Sequence, residues 1–198
     1  MEKSVKTLLD LADAPEDVEI LLGLDPDDVE NYRNLPHTYF VAPERWGYAN
    51  LHRYYTALGD FAQGEWLFLW NDDALMETQG WDTELLSLPS DVLVADFQSF
   101  HSPSLCCFPA VRVEAVDAVG GFSLHTNHCD TYWQDIGHAT GTIRALNSYV
   151  NHQRYDVSGQ NQDTTWHESQ AGYRTSEYYG VEIQHLIGLD IETIRGIL

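Results

Sequence analysis

The segment Gly64–Asp73 places five consecutive large apolar side chains directly before an amide and two adjacent carboxylates. Such an apolar run is typical of a strand that is covered on both faces, as in parallel or mixed sheets. Ligands of these sheets bind beyond the carboxyl ends of the strands. Asn71, Asp72 and Asp73 stand at that end, where carboxylates suit a hard divalent cation and its phosphate partners. A polar turn without a metal is the alternative, because Asn and Asp are good turn formers.

The pattern along the chain alternates helices and strands. Residues 4–14 have an amphipathic helical pattern, and residues 18–24 have the pattern of a buried strand that also ends in acids. The other predicted elements are a strand at 39–42, a helix at 48–61, a helix at 80–86, a strand at 92–97, an apolar segment at 105–109, and helices at 111–119, 130–146 and 173–186. This order favours an α/β fold with crossover helices, formed by a single domain that spans residues 1–198.

Composition restricts the partners and the compartment. The net charge is −21, and no cluster of Lys or Arg is present, which argues against a nucleic-acid partner. No apolar run approaches the roughly 18 residues of a membrane span, and the first residues lack the apolar core of a signal peptide. Three cysteines, two of them adjacent, argue against a disulfide framework and favour buried free thiols. We therefore expect a cytoplasmic protein without a membrane span.

Several short motifs occur in an order that has a counterpart in known enzymes. They are Asp25-Pro26-Asp27-Asp28, Gly47-Tyr48-Ala49-Asn50, Asn71-Asp72-Asp73, Gly80-Trp81-Asp82, Gly120-Gly121-Phe122, Asp130-Thr131-Tyr132-Trp133 and Val150-Asn151-His152-Gln153-Arg154. Over residues 4–168 this ordered set resembles the small, family 2-like glycosyltransferases of the GT-A type. The resemblance implies a GT-A-like (Rossmann-like) mixed sheet, mainly parallel and flanked by helices. It also implies a metal-dependent, inverting transfer of a sugar from a nucleotide-sugar donor, most commonly UDP-linked, to a hydroxyl acceptor.

The resemblance assigns a metal site to the segment after the apolar run. Asn71 stands where the family often has an Asp, so Asp73 is the predicted metal ligand, with Mn²⁺ or Mg²⁺ as the cofactor. His152 lies in a segment similar to the late histidine segment of the family, and it is implied to complete the coordination. An exposed loop histidine is the alternative for His152. His167, beside Glu168, is the competing ligand.

The predicted general base is Asp130, which would take the proton of the acceptor hydroxyl on the face opposite the leaving group. A helix N-cap is the alternative role for this residue, and Asp135 is the substitute base. Trp81 and Trp133 are predicted to form walls for the sugar, although large aromatic residues more often belong to the core. The residues predicted to bind the donor nucleotide are Asp25, Asp27, Asp28, Asn50, Asp72, Gly120 and Gly121.

The first strand of the family has no counterpart here, since the sequence starts at the helix that should follow that strand. Either the sheet lacks this strand, or a partner chain supplies it, or the start has been trimmed. An exposed sheet edge would favour a homo-oligomer. An incomplete nucleotide pocket would weaken donor binding, so the alternative function is a noncatalytic nucleotide- or sugar-binding domain derived from a transferase. A glycine-rich phosphate loop and paired His and Cys metal ligands are missing, which argues against nucleotidyltransferases and zinc hydrolases.

Overall fold

The computed structural model describes residues 2–32, 36–99, 104–153, 159, 167–168, 178 and 180–198. The helices are α1 (Glu2–Asp10), α2 (Val29–Tyr32), α3 (Leu51–Gly59), α4 (Trp81–Leu86), α5 (Val113–Val119), α6 (Cys129–Thr140) and α7 (Val181–Ile197), with single 3₁₀ turns at Pro15–Asp17 and Tyr48–Asn50. The strands are β1 (Leu21–Leu24), β2 (Thr38–Val41), β3 (Trp66–Phe68), β4 (Ala74–Met76), β5 (Val94–Ser99), β6 (Pro109–Arg112) and β7 (Ile143–His152). The predicted α/β class is confirmed.

The described strands form two separate sheets. β1 and β2 pair in parallel, with Leu21 opposite Thr38 and Leu24 opposite Val41. The other sheet has five strands in the order β3-β6-β5-β7-β4. β5 and β7 are parallel, whereas the pairs β3–β6, β5–β6 and β4–β7 are antiparallel. The sheet is therefore mixed, as predicted, but the expectation that it is mainly parallel is not confirmed.

The five-stranded sheet is packed on both faces. Successive residues of β5 point to opposite sides: Val94 packs in a cluster with Trp133 and Ile187, and Ala95 packs in a second cluster with Trp81. Helices α5, α6 and α7 contribute to the first cluster, and α1 and α4 contribute to the second. This double coverage explains why β3 and β4 consist entirely of apolar residues.

The cysteines and the helices bear on two expectations from the sequence. Cys106, Cys107 and Cys129 are free and buried, as expected. No helix among the described residues is both long enough and apolar enough to cross a membrane.

The predicted helix at 130–146 is wrong beyond residue 140. Gly141 adopts a left-handed conformation with φ of +74° and ends α6, and β7 begins two residues later. In the middle of β7, buried and exposed residues alternate, but one buried position is the polar Ser148, which hides the apolar alternation of a strand. The short strand β4 was also missed. The last predicted helix, 173–186, corresponds to α7 only from Val181, and residues 173–177 and 179 of that range lie outside the described residues.

Helix α6 lies unusually close to the sheet at Gly137. A Cβ atom on this glycine would lie 2.7 Å from the Cβ of Ile143 and 3.4 Å from the Cβ of Val94. Real Cβ atoms do not approach as closely as the first of these distances, so only glycine fits without a shift of the helix. This contact sets the depth at which α6 packs on the sheet.

Asp82 connects the segment after α1 to the start of α4 through hydrogen bonds. Its two carboxylate oxygens accept hydrogen bonds from the backbone N–H groups of Asp13 and Ala14, each at 2.8 Å. Burial acts to raise the pKa of Asp82, but the backbone hydrogen bonds outweigh it and hold the pKa below its ordinary value. At neutral pH Asp82 is therefore a buried, charged acceptor that orders the connection to β1.

We expect Asp82→Ala to lower the free energy of unfolding by about 2–4 kcal/mol, because two backbone N–H groups lose a charged acceptor. Urea denaturation at pH 7 measures this change. The exposed Asp91 supplies the control, since Asp91→Ala should alter stability by less than about 0.5 kcal/mol. Equal stabilities of the wild-type protein and Asp82→Ala would contradict the assignment.

The effect should also depend on pH. Because the pKa of Asp82 is lowered by folding, its stabilising contribution is present above the pKa of an unfolded Asp, about 3.9. The contribution is lost as the pH falls through the lower pKa of the folded protein. The stability difference between wild-type and Asp82→Ala should therefore shrink in acid.

Candidate functional site

A large cleft lies between the two sheets. It has a volume of about 1260 Å³, and the continuous stretches 18–25 and 64–73 both line it. At one end the backbone N–H of Gln63 donates to a carboxylate oxygen of Glu19 at 2.9 Å. At the other end burial, together with the carboxylate charge of Asp72, raises the pKa of Tyr32. The segment that leads into β1 thus contacts the segment that leads into β3.

Asp73 and His152 lie side by side at the carboxyl end of this cleft. The pairing of β4 with β7 places Ala74 opposite His152, and the backbone N–H of Gln153 donates to the carbonyl oxygen of Asp73 at 2.9 Å. As a result, His152 Nε2 is 3.1 Å from Asp73 Oδ1, and the Asn71 amide nitrogen is 3.3 Å from the same ring nitrogen. The side chains of His152 and Asp73 are 14% and 27% exposed, so both remain accessible from the cleft.

These donor atoms fit a divalent transition metal. A carboxylate oxygen and an imidazole nitrogen that converge at hydrogen-bonding distance are ligands that suit Mn²⁺ better than Ca²⁺. Asp72, in the same turn, is exposed and also lines the cleft. His167, the competing ligand, is exposed and lies outside the set of described residues that line the cleft. Of the two histidines, His152 is therefore the one that the fold places beside Asp73.

The acidic turn after β1 forms the opposite wall at this end. The carboxylates of Asp25, Asp27 and Asp28 lie within 4.8 Å of one another. A guanidinium nitrogen of Arg45 is 3.3 Å from Asp25 and 3.4 Å from Asp27. Asp25 and Asp28 line the cleft, whereas Asp27 is not part of its lining. The turn is thus partly neutralised from its outer side and acidic towards the cleft.

Asp25 anchors this turn to the helix that follows β2. Its carboxylate accepts hydrogen bonds from the backbone N–H of Trp46, at 2.8 Å, and from the hydroxyl of Tyr54. Burial, followed by the hydrogen bond to Asp25, raises the pKa of Tyr54 well above its ordinary value, so the hydroxyl stays protonated and donates. Asp25 therefore has a structural role in addition to its position at the cleft.

Arg45 and Glu168 were missed by the sequence analysis. Arg45 contacts Glu168 at 3.1 Å, and the other oxygen of Glu168 accepts the backbone N–H of Tyr48 at 2.9 Å. This contact joins the rim of the cleft to a residue more than 120 positions away. No local motif marks either residue. The one available signal was that few basic residues occur in a chain with a run of acids. This scarcity predicts that one arginine contacts several carboxylates, as Arg45 does.

Asp130 lies in the first turn of α6 and lines the same cleft. Its Oδ1 accepts the backbone N–H of Thr131 at 2.7 Å. Burial raises the pKa of Asp130 above the usual range of an aspartate, against the opposing effects of the Thr131 backbone and of His128. The N-cap position belongs to His128, so the alternative N-cap role does not describe Asp130. Asp135, the substitute base, accepts a hydrogen bond from the hydroxyl of Tyr178 at 2.5 Å and does not line the cleft.

The two predicted aromatic walls lie in the core instead. Trp133 is 0% exposed, and its indole N–H donates to the carbonyl oxygen of Phe122 at 2.7 Å. It therefore presents no face on which a sugar could stack. Trp81 borders the cleft, but it too is buried, and its indole N–H donates to the carbonyl oxygen of Leu8 at 3.0 Å.

Besides Asp27, three further residues predicted to bind the donor lie outside the cleft lining. Asn50 donates from its side chain to the carbonyl oxygen of Trp46 at 3.0 Å. Gly120 has a φ of +83° and ends α5, where its left-handed conformation favours glycine. A Cβ atom on Gly121 would lie 2.8 Å from the side chain of Leu124. Local structure is sufficient to explain why these residue types occur here.

We expect Tyr54→Phe to lower the free energy of unfolding by about 1–3 kcal/mol, because the partly buried carboxylate of Asp25 loses a hydrogen-bond donor. Urea denaturation measures the loss. The control is Tyr39→Phe, since Tyr39 is 43% exposed and its hydroxyl should contribute little. Indistinguishable effects of the two substitutions would show that the hydroxyl of Tyr54 does not hold the turn.

Comparison with known proteins gives a fold relationship. No model of a known protein family matches the sequence, and no curated protein matches it. Among solved structures, the chain is similar to "Mannosyltransferase PcManGT from Pyrobaculum calidifontis in complex with GDP-Man and Mn2+". The TM-score is 0.59 at 15% sequence identity, and the match covers 98% of this chain and 69% of the other. The chain therefore shares the fold of a glycosyltransferase.

Proposed function

We propose that this protein is a metal-dependent glycosyltransferase, which transfers a sugar from a nucleotide-sugar donor to a hydroxyl acceptor. The observation that carries the proposal is the pairing of Asp73 with His152 at the carboxyl end of β3. This pair lies in the same cleft as Asp130. The fold is shared with a mannosyltransferase that was solved with a nucleotide sugar and Mn²⁺, which is independent support for the same chemistry.

In this proposal Asp73 and His152 hold the divalent cation, with Mn²⁺ favoured over Mg²⁺ because of the imidazole ligand. The bound cation supplies charge neutralisation for the diphosphate leaving group. The charges of the cleft support the need for a bound cation. The cleft mouth carries the carboxylates of Asp25, Asp28 and Asp72, which repel a diphosphate. Arg45, at the rim, is paired with three carboxylates. Their negative charges offset its positive charge, so Arg45 attracts a diphosphate only weakly.

The acidic turn takes the nucleoside in this proposal. Asp28 and Asp72 accept hydrogen bonds from hydroxyl or N–H groups of the nucleoside, since both line the cleft and carboxylates accept from such donors. Asp25 is held by Trp46 and Tyr54, so it positions this wall. The resemblance of the sequence favours UDP, whereas the structural neighbour was solved with GDP-Man, so both nucleotides need to be tested.

Asp130 is the proposed general base of an inverting displacement. It takes the proton of the acceptor hydroxyl while that oxygen attacks the anomeric carbon from the face opposite the diphosphate. Its position in the cleft supports this role, and the burial that raises its pKa makes it a better proton acceptor than an exposed aspartate.

A noncatalytic nucleotide- or sugar-binding domain is the second candidate. One specific observation favours it: in the described part of the chain β1 and β3 belong to different sheets, and the cleft passes between them. A pocket whose floor is divided in this way positions a donor less firmly than a continuous sheet does. Binding without turnover is the behaviour that this candidate predicts.

Calorimetry with GDP and UDP, each with and without Mn²⁺, tests the metal site. We expect one nucleotide to bind at least about tenfold more tightly with Mn²⁺, which corresponds to about 1.4 kcal/mol. Asp73→Asn and His152→Ala should each abolish this enhancement, because each removes a ligand. Asp60→Asn, an exposed change at the end of α3, is the control and should keep it. If Mn²⁺ has no effect on either nucleotide, the transferase proposal fails.

Release of nucleotide from GDP- and UDP-linked sugars tests the base. Asp130→Asn should reduce turnover by about 10²–10⁴-fold while nucleotide affinity is retained, because an amide cannot accept the proton. The exposed Asp117→Asn is the matched control. Wild-type turnover in Asp130→Asn would refute the base, whereas metal-dependent binding without any turnover in the wild-type protein would favour the noncatalytic domain.

The same assay should depend on pH in a defined direction. The base works only when it is deprotonated, so turnover should fall as the pH decreases through the pKa of Asp130. Because burial raises that pKa, the decline should occur at a higher pH than the value of about 3.9 for an ordinary aspartate.

A further inference from the structure

We propose that Ser4, in the first turn of α1, is a positioning residue for the candidate metal site. Its hydroxyl holds the turn of residues 71–74 (the metal turn), which carries Asp73. This inference rests on the proposed function, because it gives Ser4 a part in binding the cation that Asp73 and His152 hold in that proposal. Ser4 does not touch the cation; it fixes the direction of the Asp73 side chain before the cation binds.

Ser4 is a buried polar residue on the apolar side of α1. It is 1% exposed and forms the buried side of the helix together with Val5 and Leu8. The helix begins at Glu2, so Ser4 lies inside the first turn and is not the N-cap. Burying a hydroxyl costs free energy unless the hydroxyl is hydrogen-bonded. Its partners therefore indicate what the serine contributes.

The hydroxyl of Ser4 makes two hydrogen bonds, and both go to residues just before Asp73. It accepts the indole N–H of Trp70 at 2.7 Å and donates to the carbonyl oxygen of Asn71 at 3.0 Å. A hydroxyl can donate one proton and accept others, so the two bonds are compatible. The start of α1 is thus attached to the segment between β3 and the metal ligand.

Asn71 links this hydroxyl to both proposed ligands. Its carbonyl oxygen also accepts the backbone N–H of Ala74 at 3.1 Å, which closes a four-residue turn with Asp73 as one of its two central residues. Its side-chain amide nitrogen is 3.3 Å from Nε2 of His152. The carbonyl group that Ser4 holds is therefore the one that closes the metal turn, and a rotation of this peptide group would redirect the side chain of Asp73.

Thr7 holds the other side of the metal turn. It lies one helical turn after Ser4, and its hydroxyl donates to the carbonyl oxygen of Ser4 at 2.9 Å. The same hydroxyl accepts the backbone N–H of Met76, in β4, at 3.0 Å. Residues three positions apart lie on one side of a helix, so the two hydroxyls attach α1 to the chain before and after the metal turn.

The helix that carries these hydroxyls is itself held at its carboxyl end. The indole N–H of Trp81 donates to the carbonyl oxygen of Leu8 at 3.0 Å, and the backbone N–H of Gly80 donates to that of Leu11 at 2.8 Å. Carbonyl groups at the end of a helix lack partners within the helix, and here the start of α4 supplies them. Ser4 therefore belongs to a rigid element, as a group that orients a ligand should.

Groups that orient a metal ligand contribute to metal affinity although they do not touch the metal. Their removal typically lowers the affinity by about 10–100-fold. Without the hydroxyl of Ser4, the carbonyl oxygen of Asn71 keeps one of its two hydrogen bonds, and the indole N–H of Trp70 loses its acceptor. The metal turn then samples more orientations, and Asp73 has to be ordered when the cation binds.

The test measures nucleotide binding by calorimetry at a series of Mn²⁺ concentrations. The probe is GDP or UDP, whichever binds more tightly to the wild-type protein when Mn²⁺ is present. In Ser4→Ala, we expect the Mn²⁺ concentration that gives half of this enhancement to rise by about tenfold. The affinity for the nucleotide without Mn²⁺ should change by less than about twofold, because Ser4 acts on the metal ligand. A loss of nucleotide affinity that is equal with and without Mn²⁺ would overturn the assignment.

Thr142→Val is the matched control, because it also removes a buried hydroxyl. Thr142 is 4% exposed, and its hydroxyl lies 2.8 Å from the hydroxyl of Thr140. It precedes β7 at the end opposite to His152, about 30 Å away along the strand. Urea denaturation compares the stability losses of Ser4→Ala and Thr142→Val. The control should leave the Mn²⁺ dependence unchanged, and an equal shift in both variants would mean general destabilisation and would overturn the proposal.

Amide hydrogen exchange without metal or nucleotide tests the metal turn itself. The backbone N–H groups of Ala74 and Gln153 both donate to carbonyl oxygens of this turn, so their exchange reports on its order. We expect both amides to exchange about tenfold faster in Ser4→Ala and at the wild-type rate in Thr142→Val. Wild-type exchange of both amides in Ser4→Ala would overturn the proposal.

The outcomes separate this inference from the proposed function. If Mn²⁺ has no effect on nucleotide binding by the wild-type protein, the proposed function and this inference both fail. If the wild-type protein shows the enhancement and Ser4→Ala has the same Mn²⁺ dependence, only the role of Ser4 is refuted.

Discussion

The antiparallel pairing of β4 with β7 is the interaction on which the candidate metal site depends. β7 is held in the interior of the five-stranded sheet by its parallel pairing with β5, and its last residues pair with β4. This register brings His152 to Asp73 across 79 positions of the sequence. Neither residue lies on a long flexible loop, because each is the continuation of a paired strand. The ligand geometry is thus set by backbone hydrogen bonds of the sheet, which is the arrangement that holds a coordination site with little reorganisation.

Charge gives the site a second constraint. A chain with a net charge of −21 that collects further carboxylates around a cleft must neutralise them, or its folded state is weakened by self-repulsion. Arg45 does this on the outer side of the acidic turn, where it is shared among Asp25, Asp27 and Glu168. The inner side lacks an equivalent basic partner among the described cleft-lining residues. In the proposed function a bound cation fills this need, so the same acidic character that repels a free diphosphate attracts the metal that binds it.

The sequence was most informative where a strand ends. The apolar run before Asn71 predicted both β3 and the acidic segment beyond it, because burial on two faces and an abrupt change to polar residues are local properties. It was least informative about pairing. The first four residues of β7 were taken for the end of a helix, and the buried polar Ser148 hid the rest of the strand. No local pattern indicated that β4 and β6 run antiparallel to their neighbours. Trp133 was predicted at the site because its position along the motif suits a sugar wall, whereas its neighbours in space place it in the core. The contacts of Arg45 and Glu168 are long-range, so a single sequence carries almost no signal for them.

Gly137 has a consequence that reaches the other end of its helix. Asp130 and Gly137 both belong to α6, about two turns apart, and the glycine allows the helix to rest directly on Ile143 and Val94. A rigid helix transmits a displacement at one point along its whole length. The position of Asp130 in the cleft lining therefore depends on the packing of Gly137 inside the hydrophobic core. A substitution that enlarges residue 137 would shift α6 without touching the cleft, so this core position bears on the proposed role of Asp130.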